Sequence, residues 1–434
     1  MGEMDIAQPP PLNKGEPESL SSGEGDQRFS FLRVSVFESL QFRDFRWLWL
    51  GSFASYMAMN MQMITRGWLV LRLADDSPFA LSIVMMAFAL PMTFMSPLGG
   101  ALADRIPRKF MIMFSQGGTV LMTLLLATLD LADLIRFWHL LIIGMVNGSL
   151  MAFNMPSRQA IISDIVPVDK LMNAISLNSS GMNLTRIVGP ALAGVLIIFI
   201  STAGVFYIIA GLFLCSVLSI AMIDTRGKKK DRVRKGLTSD IREGLSYVFS
   251  DSTISGLIIT LFMPALFGFT YFALLPAWGR EALDVQSDSL GLLMMVMGIG
   301  SLTGTLILAS MGKFRRRGAL LLVFAFAWGI GLAIFSQADS YRMAMPLLFI
   351  VGLLSAIFMS LNMTLIQVYS KETMRGRVMS ISMMTFGAMP LSVVPFGALA
   401  ERIGTPNALG ISGMMLAAFT VVFSFVNGKF RNIP

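Results

Sequence analysis

The stretch "GGALADRIPRKF", residues 99–110, ends a long apolar run with an acid, Asp104, and then gathers Arg105, Arg108 and Lys109 before the next apolar run begins. A short basic boundary between two hydrophobic blocks is the pattern of a loop joining two membrane-crossing helices on the side where positive charge collects. The rest of the chain agrees. Of its 434 residues, 55% are hydrophobic and 14% are charged, against about 25% charged in an ordinary soluble domain. The apolar residues form many blocks long enough to cross a hydrocarbon core of ~30 Å at ~1.5 Å per residue. The segments of about ten alternating residues that a membrane barrel needs are missing from the sequence. The expected fold is an all-α polytopic membrane protein, with the lipid bilayer as its first partner.

The net charge is +8. The basic residues lie in short runs between apolar blocks, so topology accounts for them and nucleic acid is not an expected partner. The single cysteine, Cys215, falls inside an apolar block and has no partner for a disulfide. Residues 1–40 start with a stretch rich in Pro, Gly, Ser and Glu that contains no apolar h-region, which predicts a disordered cytoplasmic tail.

Twelve spans are expected, at about 46–71, 79–102, 110–129, 137–159, 174–199 and 203–223, then 253–278, 289–311, 318–337, 343–369, 374–399 and 405–427. They divide the chain into an N-terminal six-helix bundle (41–224), a basic cytoplasmic linker with an amphipathic segment (225–252), a C-terminal six-helix bundle (253–428) and a short tail (429–434). With both termini cytoplasmic, 27 of the 34 Lys and Arg fall on that side, which fixes the expected orientation. The two bundles read as copies. Sliding the chain by 208 residues lays Ala101, Arg105, Arg108 and Lys109 on Ala309, Lys313, Arg316 and Arg317, and Asn154, Met155 and Gln159 on Asn362, Met363 and Gln367. Internal repeats of this kind place a binding site between the repeats near the midplane.

Twelve spans in a 6+6 arrangement, with Gly100, Leu102, Ala103, Asp104, Arg105, Arg108 and Lys109 in the second loop, resemble the major facilitator superfamily and its loop 2/3 signature. Pro107 departs from that signature, which usually has Gly there. The segments "MQMITRGWLVLRLADDSPFALSIV", "RQAIISDIVPVDKLMNAISLNSSGMNLTRIVGPALAG" and "RGRVMSISMMTFGAMPLSVVPFGALAERIG" are similar to the branch that holds enterobactin exporters and macrolide efflux proteins. The resemblance implies export of small molecules. It also implies that Asp104 meets the start of span 11, where Arg375 and Arg377 wait beside a helix N-terminus. The conformational gate would then comprise Gly100, Asp104, Arg105, Arg108, Lys109, Arg375 and Arg377, locking the cytoplasmic side in the outward-open state. The alternative is that Asp104 only caps the third helix while the arginines set topology.

The Asp and Glu residues all fall in tails, loops or span ends, so a buried carboxylate relay for protons is not visible. Coupling is left to the interfacial Asp44, Asp104 or Asp164, to an ionisable substrate, or to no ion. Arginines do enter the membrane. Arg186 lies ~20 Å along span 5, as either an anchor for an anionic group or a structural partner of helix-end carbonyls and Asn178 or Asn183. Ser55, Gln62 and Arg66 form one stripe on span 1, and Asn147, Asn154 and Arg158 another on span 4. In the family that these segments resemble, spans 1, 4, 7 and 10 line the cavity, which makes Ser55, Gln62, Arg66, Asn147, Asn154, Asn362 and Gln367 substrate-cavity candidates, joined by Arg186 of span 5 as an anion anchor. Arg66 can instead snorkel to the outer interface, Asn362 and Gln367 can serve as interhelical hydrogen bonds, and Arg158 is placed at the inner interface. Gly189, Pro190 and Gly194 partly match an exporter signature and mark span 5 as a bent gate helix, or as ordinary close packing.

These features point to a secondary exporter of small amphipathic or anionic organic molecules, siderophore-like or drug-like, working by alternating access and coupled to protons or uncoupled. An organic-anion uptake carrier, or a non-transporting sensor or assembly factor on the same fold, would share them. The lone His139, with no metal cluster, phosphate loop or nucleophile and base in the sequence, argues against an enzyme, so no cofactor is expected. The expected setting is a monomer in the bacterial inner membrane.

Overall fold

The computed structural model describes residues 38–103, 106–224, 237–310, 316–371, 374–386 and 389–431. Five helices build the first half: α1 (Arg43–Leu73), α2 (Pro78–Ala103), α3 (Arg108–Leu131), α4 (Phe137–Ile165) and α5 (Leu171–Ala221). Helix α5 is 51 residues long, and its backbone leaves helical values at Ser201, with φ 60 and ψ 175. It cannot be straight. Trp49 and Phe53 of α1 lie against Gly181, while Gly51, between them, lies against Ser216 and Ser219. Positions 181 and 216 would be about 50 Å apart in an unbroken helix. The chain therefore doubles back at Ser201, in the gap expected between spans 5 and 6, and α5 supplies two antiparallel arms.

After the amphipathic α6 (Leu237–Ser250), the second half runs through α7 (Ser252–Met263), a π-turn at Pro264–Gly268, α8 (Thr270–Leu283), α9 (Ser287–Ser310), α10 (Arg317–Ser336), α11 (Tyr341–Tyr369), α12 (Arg375–Phe386), α13 (Met389–Ile403) and α14 (Thr405–Val426), and ends in α15 (Gly428–Arg431). Pro264 has no N–H to continue the α ladder, which accounts for the register change there. Among the described residues, nine helical segments are long and apolar enough to cross a membrane, the folded α5 counting once. Helix α1 has the length, at 31 residues, but is diluted by charged and polar side chains. Helices α12 and α13 are short pieces of 12 and 15 residues on either side of positions 387–388.

The repeat is visible in the packing. Gly148 of α4 lies where any Cβ would collide with the Phe88 carbonyl of α2, and Gly352 of α11 stands in the same relation to the Met297 carbonyl of α9. Close approach of helix backbones at small residues is how membrane helices gain van der Waals contact without a hydrophobic driving force. Large apolar side chains such as Phe94, Phe199, Val422 and Phe425 are left exposed on the outside, as a lipid-facing surface requires.

Two ends can be distinguished. The basic end carries residues 106–109, 164–170, 224, 371 and 374–377; the far end carries residues 72–78, 130–137, 280–287 and 401–405. Among the described residues, the hydrogen bonds and the ion pair that join the halves gather at the far end. Glu401 of α13 accepts from Ser77 Oγ (2.9 Å) and from the Phe79 N–H (3.4 Å) at the start of α2. Ser287 Oγ, at the start of α9, donates to the Gly194 carbonyl of α5 (3.0 Å). Arg280 pairs with Asp76 (3.5 Å) and lies over the Trp68 ring (5.2 Å). Below these, Gly397 packs on Ser82, and Gly291 on Pro190 and Ala191. The α2–α13 and α9–α5 contacts are thus repeat-related pairs, and together they shut the far end.

Candidate functional site

The polar stripe on α1 finds its partners within the first half. Ser55 bonds to Gln116 of α3 (Gln116 Nε2 to Ser55 Oγ, 3.2 Å), and Gln62 Nε2 donates to Thr123 Oγ1 (3.3 Å). Because the two pairs are in register, α1 and α3 run parallel with a polar ladder between them. Asn154 of α4 joins it, donating to Ser115 Oγ (2.9 Å) and Gln116 Oε1 (3.0 Å). Ser55, Gln62, Asn147 and Asn154 are all buried. Expected to line the cavity, Ser55, Gln62 and Asn154 join an internal seam, because a buried amide or hydroxyl is stable only where it meets a partner, whereas the Asn147 amide has no hydrogen-bond partner among the described residues.

Arg158 is the seam's anchor and corrects a further expectation. It was placed at the inner interface, yet it is 2% exposed. Its Nε donates to Asn154 Oδ1 (3.3 Å), Nη1 to Ser52 Oγ (3.0 Å), and Nη2 to Gln116 Oε1 (3.1 Å) and Ser216 Oγ (3.2 Å). Four neutral acceptors on α1, α3, α4 and the second arm of α5 hold this cation.

A carboxylate is also buried, at the span end where the sequence map leaves it. Asp130 is 4% exposed in the last turn of α3, ion-paired with Arg72 and bonded to Thr202 beside the α5 reversal. Arg72 is half exposed, with 46% of its side chain accessible. The two partners should therefore respond unequally to mutation. Arg72→Leu strands a buried carboxylate and is expected to cost about 2–4 kcal/mol, whereas Asp130→Asn leaves a solvated cation and should cost about 1 kcal/mol or less. Thermal unfolding of both variants in detergent checks the order.

At the basic end, Asp104 and Arg105 lie outside the described residues, and Gly100 falls in the last turn of α2. Arg108 serves the first half, bonding Asp164 Oδ2 (2.8 Å) and the Ala160 carbonyl (2.7 Å). Lys109 Nζ caps the end of α5 at the Ala221 and Ile223 carbonyls (2.8 and 2.6 Å), a favourable place for a cation at a helix C-terminus. Lys170 bonds Glu38, whose carboxylate raises the ammonium above its ordinary range. Arg375 is exposed. Arg377 bonds Glu243 of α6 (2.9 Å), so the amphipathic linker helix docks where α12 begins. Tyr247 of the same helix accepts from the Lys371 N–H (3.3 Å).

Arg186, the cavity candidate on span 5, stands among residues that meet the other half. It lies about 22 Å into the first arm of α5, and it is exposed. Its chain neighbours Ile187 and Pro190 touch Gly298 and Gly291 of α9, so this part of α5 borders the second half. The cation lies within electrostatic range of Tyr271 on α8, whose hydroxyl bonds Ser355 on α11. An exposed guanidinium at this depth is tolerable facing water and costly facing lipid. Gly189 packs on Asn60, and Gly194 on Ser287 and Gly291; with Pro190 these glycines let α5 approach both α1 and α9. Asn362 is fully buried and donates to the Leu257 carbonyl (3.2 Å) and Thr260 Oγ1 (3.0 Å), which is an interhelical bond inside the second half. Gln367 is exposed nearer the basic end of α11.

Sequence reasoning missed Gln116, Thr123 and Asp130. Their signal was available: they recur every seven residues along span 3, a single polar stripe matched to the one on span 1.

Two packed helical halves, built as repeats and closed at one end with a cationic position between them, define a transporter of the major facilitator type. The fold is similar to that of a bacterial homologue of the human lysosomal transporter Spinster (TM-score 0.68, 15% identity, 91% of this chain and 99% of that one) and of the nucleoside transporter NupG (TM-score 0.71, 14% identity, 90% and 100%). The chain belongs to the family described as transmembrane secretion effector, whose pattern it matches over residues 34–431. Among its relatives are the staphyloferrin A transporter of Staphylococcus aureus (25% identical, covering 89% of this chain and 97% of the relative), the multidrug efflux pump Tap of Mycolicibacterium fortuitum (26%; 82% and 89%) and macrolide efflux protein A of Streptococcus pyogenes (24%; 81% and 88%). It is an integral membrane protein of a secondary-transport family and not an enzyme.

Proposed function

We propose that this protein exports small amphipathic or anionic organic molecules, siderophore-like or drug-like, by alternating access. Arg186 carries this reading: it is an exposed cation at membrane depth on the border between the halves, within electrostatic range of Tyr271 of the opposite half. A guanidinium recognises oxyanions in bidentate fashion, and relatives named for staphyloferrin A transport and macrolide efflux support the substrate range. The positive-inside bias makes the basic end cytoplasmic, with both termini there and a monomer in the bacterial inner membrane. The far end then faces outward, and the contacts that shut it give an inward-open arrangement. Return to the outward-open state brings Asp104 to the start of α12, where Arg375 and Arg377 stand, and requires Arg377 to exchange its bond to Glu243.

Cells that express the protein are expected to accumulate less of a transported anion than control cells, and Arg186→Ala should reduce that efflux at least about tenfold, the loss of ~1.4 kcal/mol of binding. Greater accumulation would reverse the direction and make the protein an uptake carrier. Absence of flux across a broad panel would favour a sensor or assembly factor.

A further inference from the structure

The internal seam treats its two arginines and two asparagines unequally. Arg158 is met by four neutral acceptors, and both ends of the Asn154 amide are bonded. Two turns further along the same face of α4, Asn147 is 3% exposed, and neither its Oδ1 nor its Nδ2 has a hydrogen-bond partner among the described residues. Arg66 Nη2 is buried in the same condition.

Phe88 of α2 touches Arg66 on one side and the backbone of α4 next to Asn147 on the other. Its ring lies 5.7 Å from the Arg66 guanidinium carbon, and its backbone lies against Gly148, next to Asn147 in the chain, with Gly144 one turn away. The acids of this half that form ion pairs are taken by other cations: Asp130 by Arg72, Asp164 by Arg108 and Glu38 by Lys170. A buried guanidinium offers only donors, and the Asn147 amide adds two more N–H groups with one acceptor. Unsatisfied donors of this kind are costly in a dry interior. Arg158 shows that this seam can satisfy an arginine with serine and amide side chains, so Arg66 and Asn147 form a separate, donor-rich position.

The geometry points to a small-oxyanion site between α1, α2 and α4, in which a carboxylate accepts from Arg66 and from Asn147 Nδ2 while Phe88 supports the guanidinium plane. This site lies inside the first half and is distinct from the Arg186 position at the border of the halves. The carboxylate is either free in solution or the acidic end of a larger transported molecule.

The test uses the full-length protein purified in detergent. Acetate, titrated against its neutral isostere acetamide, should raise the unfolding temperature saturably while acetamide does not. Asn147→Leu and Arg66→Gln should weaken that response at least about tenfold in half-maximal concentration. Arg186→Gln should leave intact the part of the response that Asn147→Leu removes, which separates this site from the proposed export site. Fluorescent dansylglycine then distinguishes the sources. Competition with acetate identifies the acidic end of a bulky molecule, absence of competition identifies a free ion, and both outcomes uphold the site. Equal effects of acetate and acetamide, or an acetate response unchanged in Asn147→Leu, would mean that water alone meets these donors and would overturn the proposal. If Arg66→Gln fails to fold, Asn147→Leu and Arg66→Lys, which keeps the charge but loses the planar fork, carry the test.

Discussion

Replacing Gln116 with Leu is expected to destabilise this protein more than replacing Arg158 itself. The seam is built around a cation without a carboxylate, so its stability depends on neutral acceptors pointing at the guanidinium. Gln116 Oε1 accepts from both Arg158 Nη2 and Asn154 Nδ2, and its amide nitrogen serves Ser55. Gln116→Leu removes all three contacts and leaves a buried charge short of an acceptor, at an expected cost of about 3–5 kcal/mol. Arg158→Met removes the charge. Ser52 and Ser216 are then left with hydroxyls that can turn to carbonyls of their own helices, and Gln116 keeps Asn154. That change is expected to cost about 1–3 kcal/mol. The double variant should cost clearly less than the sum of the two single variants, because the largest part of the Gln116→Leu penalty, the buried charge short of an acceptor, exists only while the cation is present. Unfolding temperatures and inactivation half-lives in detergent give the order. If Arg158→Met proves as damaging as Gln116→Leu, the guanidinium is a net stabiliser, and this account of the seam fails.

Much of the fold was legible because membrane crossing imposes a length and a composition that a sequence displays directly. The reversal at Ser201 falls where the apolar pattern pauses. The side chains were harder to place, for a physical reason. A polar stripe on a membrane helix marks the face that avoids lipid, but it does not say whether that face meets the space between the halves or another helix of its own half. Ser55, Gln62 and Asn154 carried the spacing of a cavity face and went instead to α3, whose matching stripe of Gln116, Thr123 and Asp130 decides the matter. Arg158 was misjudged by helix length. The apolar run fades near residue 159, yet α4 continues to Ile165, which carries the arginine almost two turns inside the helix end. Arg186 was legible as a membrane-embedded cation, and only packing showed that Ile187 and Pro190 beside it meet the other half.

The far-end closure gives the second large effect. Gly291→Val is expected to abolish the closed arrangement and to lower transport more than about tenfold while leaving each half folded. A Cβ at Gly291 would stand 2.6 Å from the Pro190 carbonyl oxygen and 3.1 Å from the Ala191 Cα. Both atoms are backbone of the opposite half, so neither can swing aside as a side-chain tip could. A valine there fits only when α9 and α5 separate, and a group that fits one state alone shifts the equilibrium towards that state. Gly397→Val should act in the same way on the repeat-related contact, where its Cβ would meet Ser82 and, at 3.1 Å, the Pro78 carbonyl. The measurement is cross-linking in a Cys215→Ser background, with cysteines at positions 76 and 280 in place of the Asp76–Arg280 pair and a short bifunctional thiol reagent. The parent should cross-link readily and the valine variants hardly at all, with unfolding temperatures within a few degrees of the parent. Alternating access needs both arrangements of the halves, so a protein held open at the far end binds from one side and cannot complete a cycle. Valine variants that cross-link and transport like the parent would show that α5 and α9 part elsewhere during the cycle and that these glycines serve packing alone.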